Sequence, residues 1–323
     1  FIVAEELGRI GATGPGFALH SVIVAPYLAA HGRPELQRAL LPAMVAGEKI
    51  AAIAMTEPGT GSDVAAIRTH ARRASDAGGD HYVLSGQKTF ITNGHNADLV
   101  VVACKTEPDQ GARGVTLLVV ERGMAGFTRG RNLRKIGQHA QDTAELFFDN
   151  VRVPAGNLLW GEGRGFAIAQ GRLGPGRIHH CMRSIGAAER ALELMCKRLN
   201  DRTAFGRRIS EQGVWRERIA ESRCMIDQAR LLTLKAAYMM DTVGNKVAQA
   251  EIAMIKVVAP NMSTRIIDWA IQAHGGGGVS DDFPLSYSYA HQRTLRLADG
   301  PDEVHRNALA KLELARHAVG AKP

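Results

Sequence analysis

Along the first 47 residues, apolar positions recur at helical spacing in alanine-rich stretches interrupted by Pro26, Pro34 and Pro42. From Ile50 to Pro154 the texture changes. Short apolar and β-branched runs (IAAIAM, HYVLSG, KTFIT, LVVVAC, GVTLLVV, ELFFDNVRV) alternate with turn-forming groups such as DAGGD, NGHNAD and PDQGARG. That pattern predicts a small antiparallel barrel or sandwich. After Gly165 the helical period returns, with Ile178, Met182, Ile185, Leu192, Met195 and Leu199 on one apolar stripe. Further helices are predicted over Val214–Val243, Val247–His274 and Pro301–Ala318, lengths that suit a four-helix bundle. Helices, then strands, then helices is an α+β order, because an α/β chain would alternate the two throughout. The expected boundaries are 1–50, 51–155 and 156–323.

Composition sharpens this picture. At 323 residues, 45% hydrophobic and 22% charged, the chain is long enough for two or three domains and for burying a large cofactor. It starts at Phe1, and FIVAEELGRIGATGPG reads as an amphipathic helix without a signal-type apolar core, so a truncated helical domain is expected at the N-terminus. No apolar run approaches the roughly 20 residues of a membrane span. Cys104, Cys181, Cys196 and Cys224 lack CxxC spacing, and a chain of this size needs no disulfide framework. The expected compartment is the cytoplasm, with a mitochondrial matrix equally suited. The formal charge of +8 does not point to nucleic acid, since the basic residues are scattered and aromatics are only 5%. It suits a polyphosphorylated substrate, or simply a solvated surface.

Two glycine-rich strings carry no nucleotide loop. GEGRGF at 161–166 and GGGGVS at 275–280 lack the surrounding parallel βαβ unit, and Gly278 is followed by Val279 where a phosphate loop has Lys. The informative strings are MTEPGTGSD (55–63), TFITNG (89–94), FFDNVRVPAGNLL (147–159), RTAFGRR (202–208), QAHGGGG (272–278) and ADGPDEVHR (298–306). In that order and at those separations they resemble the acyl-CoA dehydrogenase family over nearly the whole chain. The resemblance implies an N-terminal helical domain, a middle antiparallel β-barrel, a C-terminal four-helix bundle and FAD as cofactor.

By that resemblance, the Met55 backbone and Thr56 side chain face the flavin pyrimidine. Ser62 lies near the pyrophosphate and the substrate's pantetheine arm. Phe90 stands where the family usually has Trp, and Thr92 matches the threonine bonded to flavin N5. Arg202 and Phe205 match the family's RxxFG string, and Gln272, Gly275 and Gly276 its QxxGGxG segment, both of which serve a neighbouring subunit's FAD. Glu303 joins the cofactor-facing set. Gly213 departs from the Gln of many relatives, which removes one expected FAD contact. From the residues alone, the first string is a tight turn, Arg202 a solvated side chain and the glycine run a helix cap.

The catalytic base implied by the resemblance is Asp299, in the slot where relatives carry Glu in a YEGT string. The alternative slot near Arg177 holds Gly176. The string is similar to the branch containing family members ten and eleven. Without the family, Asp299 would be a helix cap, with Pro301, Asp302 and Glu303 in the first turn. The implied reaction is α,β-dehydrogenation of an acyl-CoA. Asp299 takes the Cα proton, flavin N5 takes the Cβ hydride, Gly300 lies in the substrate site and an electron-transferring flavoprotein accepts the electrons. A homodimer or homotetramer is implied. A flavin oxidase of the same fold, including a nitroalkane oxidase, or an inactive binding protein are the alternatives.

Overall fold

The strand-rich middle of the chain forms a seven-stranded sheet, and the helical C-terminal half forms a bundle. The structure, a computed structural model, describes residues 2–14 and 16–318, so Phe1, Pro15 and residues 319–323 lie outside it. In chain order the elements begin with helix α1 (Ile2–Arg9), a π-helical stretch (Ala18–Val24), α2 (Ala25–His31) and α3 (Pro34–Val45). Strands follow: β1 (Ala51–Ala54), β2 (His70–Asp76), β3 (Gly79–Thr92), β4 (Leu99–Lys105), β5 (Val115–Glu121), β6 (Phe127–Asn132) and β7 (Thr143–Pro154). Then come α4 (Gly165–Asp201), a short hairpin of β8 (Thr203–Ala204) and β9 (Arg207–Arg208), α5 (Gly213–Val243), α6 (Gln249–His274), α7 (Leu285–Thr294) and α8 (Asp302–Arg316). The chain divides into two units. One holds the sheet, α2 and α3, and the other holds α1 and most of α4 onward to α8.

In the sheet unit β4 is the hub. It pairs antiparallel with β5 and parallel with β1, Ala51 lying opposite Leu99 and Ala54 opposite Val102. β2, β3, β7 and β6 continue the sheet as antiparallel neighbours, and β2 meets β4 only at His70 and Lys105. The sheet is therefore mixed where a wholly antiparallel one was expected. The reason is connectivity: the β2–β3 hairpin intervenes between β1 and β4 and supplies the long crossover that a parallel pair needs.

All of β4 is buried, which explains why LVVVAC shows no alternation. Leu99, Val101 and Ala103 face one core with Tyr27, Leu28 and Leu40, while Val100, Val102 and Cys104 face another with Leu84, Leu146 and Val151.

In the helical unit the α4 stripe is buried as its period predicts, against Ile226 and Ala229 of α5, Ile255 and Ile266 of α6, and Leu285 of α7. The observed α5, α6 and α8 start and end within about two residues of the spans read from periodicity. α7 was not foreseen, because LSYSYAHQRT carries too few apolar residues to show a stripe.

Candidate functional site

Within the sheet unit, the turn after β1 and the end of β3 are tied together. The Thr89 amide donates to the Thr56 carbonyl at 2.9 Å, and Lys88 Nζ donates to the Met55 carbonyl at 2.8 Å. Met55, Thr56, Phe90 and Thr92 are thus brought to one place. The turn itself is closed by reciprocal bonds between Glu57 and Thr60, at 2.9 and 3.1 Å, which leaves Ser62 exposed on its far side.

The register of β3 on β7 shifts between Lys88 and Ile91. That bulge puts Phe90 at φ 59° and leaves it 65% exposed. A bulky residue with positive φ is a strained conformer, and bulges recur where a side chain must be re-aimed. Thr92, two residues on, is half-buried opposite Thr143.

Beneath the turn lies an ion pair that the sequence reading did not single out. Lys88 is fully buried and Glu57 is 7% exposed, with Lys88 Nζ 2.9 Å from Glu57 Oε1. The Thr69 amide donates to the same oxygen at 2.9 Å and the Arg68 amide to Oε2 at 2.6 Å. Burial works against the Glu57 charge, but the Arg68 amide and Lys88 outweigh it and hold the carboxyl below its ordinary value. Burial lowers Lys88 as well, with Glu57 partly restoring it. The ionised carboxylate is the firm member of the pair, because three donors converge on it.

In the helical unit, β8 and β9 are joined by a two-residue turn in which Phe205 (φ 53°) and Gly206 (φ 77°) both adopt left-handed backbone. This is the conformation tight hairpins require, usually met by Asn-Gly. Phe205 is 99% exposed, and Arg202 at the start of the hairpin is exposed as well. At the C-terminal end of α6, the Gly275 amide caps the Gln272 carbonyl with φ 60°. The glycine run then divides by role. A side chain at Gly278 would strike the Ile271 backbone, 2.8 Å from its Cα, whereas Gly275 and Gly276 face open space.

Asp299 is not a helix cap. Pro301 occupies that position, and Asp299 sits before it at φ 56° with its carboxylate turned toward α4. Its carbonyl accepts hydrogen bonds from Arg177 Nε at 3.1 Å and His305 Nε2 at 3.2 Å. Lys256, fully buried on α6, donates to the Leu295 carbonyl at 2.5 Å and the Gly300 carbonyl at 3.4 Å, holding both ends of the loop. These four bonds sustain the left-handed residue. Gly300 follows at φ 99°, where a side chain would meet His305 Nε2 at 2.9 Å.

The carboxylate Oδ2 lies 3.1 Å from His180 Nε2, yet it is buried without a hydrogen-bond partner of good geometry. Burial raises this carboxyl, but His180, Arg177 and Lys256 together hold it down at about 2. Desolvation is the largest single influence and still loses to three neighbouring groups. Glu303 stands apart, exposed on α8 and 3.9 Å from Arg306. Gly176 is buried in α4, one residue before Arg177. Arg177, His180 and Lys256 escaped the sequence reading. The available signal was a cationic series at three-residue spacing, Arg177, His180 and Arg183, on a helix otherwise read for its apolar stripe.

A flavin dinucleotide needs backbone it can approach, aromatic cover and hydrogen-bonding groups on exposed turns. Gly59, Gly61, Gly206, Gly275 and Gly276 all face open space, and Phe90 and Phe205 are held outward. The residues present in each unit fit such a group.

Three family models match in succession: acyl-CoA dehydrogenase N-terminal domain over residues 1–48, middle domain over 52–151 and C-terminal domain over 163–314. The chain is 47% identical over 288 residues to a Mycobacterium tuberculosis protein described as "probable acyl-CoA dehydrogenase FadE2", covering 87% of this chain and 70% of that one. It is 45% identical over 297 residues to mouse acyl-CoA dehydrogenase family member 11, covering 89% of this chain but only 38% of that protein. The crystal structure of an acyl-CoA dehydrogenase from Geobacillus kaustophilus superposes with a TM-score of 0.92 at 40% identity, over 97% of this chain and 81% of that chain. The chain belongs to the acyl-CoA dehydrogenase family. A solved structure described as "PigA with FAD and proline" shares the fold, with a TM-score of 0.91 at 27% identity over 98% of this chain and 82% of that chain. No helix among the described residues is long and apolar enough to cross a membrane.

Proposed function

We propose that the protein dehydrogenates an acyl-CoA thioester between Cα and Cβ, giving the trans-2-enoyl-CoA, with Asp299 as the base that takes the Cα proton. The observation that carries this reading is the Asp299 carboxylate, held in a left-handed conformation with one buried oxygen unsatisfied. An unsatisfied buried acceptor costs free energy and persists where function uses it. FAD, when bound, supplies the acceptor for the Cβ hydride.

Met55, Thr56, Ser62, Phe90 and Thr92 hold FAD within the subunit, and Ser62 and Gly300 also meet the substrate. Arg202, Phe205, Gln272, Gly275 and Gly276 serve the cofactor of a partner subunit in a homodimer or homotetramer, and Glu303 joins the cofactor-binding set. Phe205 supports this assignment, since a fully exposed phenylalanine in a strained turn is costly unless something covers it. Three domains, near 1–50, 51–155 and 156–323, carry these parts, and an electron-transferring flavoprotein takes the electrons. The protein works in a reducing compartment, the cytoplasm or a mitochondrial matrix, a reading supported by free Cys104, Cys181, Cys196 and Cys224.

Anaerobic titration of the purified flavoprotein with acyl-CoAs of different length tests the reading. Bleaching of the flavin band by a stoichiometric amount of one of them is expected. An unchanged spectrum with all of them contradicts it, and hydrogen peroxide release in air marks an oxidase instead.

A further inference from the structure

We propose that His180 is a positioning residue for the Asp299 base, presenting Nε2–H to the carboxylate because Arg183 occupies its other ring nitrogen. The inference rests on the reading of Asp299 as the base. It concerns side chains of the helical unit alone.

The chemistry of Arg183 decides the His180 tautomer. Arg183 Nη2 lies 2.9 Å from His180 Nδ1. A guanidinium only donates, and burial brings Arg183 down no further than about 10, so it remains protonated at neutral pH. Nδ1 must therefore accept. Burial also lowers His180, which keeps the ring neutral with its single proton on Nε2. Nε2 is the atom 3.1 Å from Asp299 Oδ2. The opposite tautomer would set two lone pairs against each other at that distance and leave an Arg183 donor facing an N–H.

The approach of Nε2–H to Oδ2 is off-line, since that oxygen has no hydrogen-bond partner of good geometry. A contact of this kind orients the carboxylate and favours its ionised form while leaving a lone pair for a proton from elsewhere. The other charged or titratable neighbours act differently. Arg177 on α4 and His305 on α8 bond the Asp299 carbonyl, and Lys256 on α6 bonds the flanking carbonyls. His179 lies beside His180, and Asp302 on α8 is engaged by Arg296 and Asn261. Among the described residues, the side chain recorded within 4 Å of the carboxylate oxygens is neutral His180, its Nε2 3.1 Å from Oδ2.

The test is stopped-flow flavin reduction of the holoenzyme by one acyl-CoA across a pH series, for the parent, His180→Phe, His180→Gln and Asp299→Asn. Removing a donor from the charged form lets a carboxyl keep its proton to higher pH. The acid limb of His180→Phe should therefore move up by about one unit. His180→Gln, which retains an N–H donor of similar reach, should recover most of that shift. FAD stoichiometry and KM should change little. If the His180→Phe limb superimposes on the parent while Asp299→Asn is slowed roughly 10²-fold or more, His180 has no such role and Asp299 remains the base. If Asp299→Asn matches the parent, the base assignment itself fails. Should His180→Phe not fold, long-range ¹⁵N spectra of the histidine-labelled parent give the answer directly. Protonation of His180 on Nε2 is expected, and protonation on Nδ1 overturns the proposal.

Discussion

Glu57 in the sheet unit and Asp299 in the helical unit both face buried nitrogen groups and both are held below the ordinary carboxylate range, yet their oxygens are used differently. Glu57 is saturated: Lys88 Nζ and the Thr69 amide share Oε1, and the Arg68 amide takes Oε2. Asp299 has neighbours placed to favour its charge, but its Oδ2 lacks an aligned donor. A saturated carboxylate fixes geometry, here the turn carrying Met55 and Thr56. An unsaturated one has a lone pair left for chemistry.

The contrast can be broken most severely at Lys88. Lys88→Met strands the Glu57 charge without its cation, and the expected loss of stability is about 3–5 kcal/mol. Chemical denaturation measures it, and a loss below about 1 kcal/mol would mean that the pair does not hold the turn. Glu57→Gln is milder. The amide keeps one acceptor but turns an NH₂ toward existing donors, so a cost of about 1–3 kcal/mol is expected from the same melts.

Asp299→Asn should cost at most about 2.5 kcal/mol at neutral pH, since the carboxyl is held down from 3.8 to about 2. Its pH dependence separates the two carboxylates further. The folded value of Asp299, about 2, lies below its ordinary 3.8, so its contribution is present above 3.8 and is lost as pH falls through about 2. Parent and Asn variant should therefore converge in stability on acidification over that window. Curves that stay parallel would show that Asp299 carries no depressed pKa.

Much of this architecture was legible in local pattern. The α4 stripe predicted its buried face residue by residue, and the six short strings contain Asp299, Phe90 and Phe205, all of which adopt positive φ. What escaped lies between elements. The parallel pairing of β1 with β4 depends on connectivity, which alternation along one strand does not encode. Lys88 and Glu57 stood within or beside quoted strings, but their pairing joins β3 to the turn after β1. His180 was hidden because a polar residue on a long helix reads as solvated until the loop at Asp299 folds against it. The three groups that hold down the Asp299 carboxyl come from two helices far apart in sequence, so no local string shows them.

The central claim is that the unsaturated carboxylate is the one that does chemistry, and the rate of flavin reduction in Asp299→Asn tests it most directly. With FAD retained and the parent measured beside it, stopped-flow mixing with a bleaching acyl-CoA should show reduction slowed by roughly 10²- to 10⁴-fold, the usual worth of a positioned base. Reduction at the parent's rate would contradict the account and assign the proton to another group.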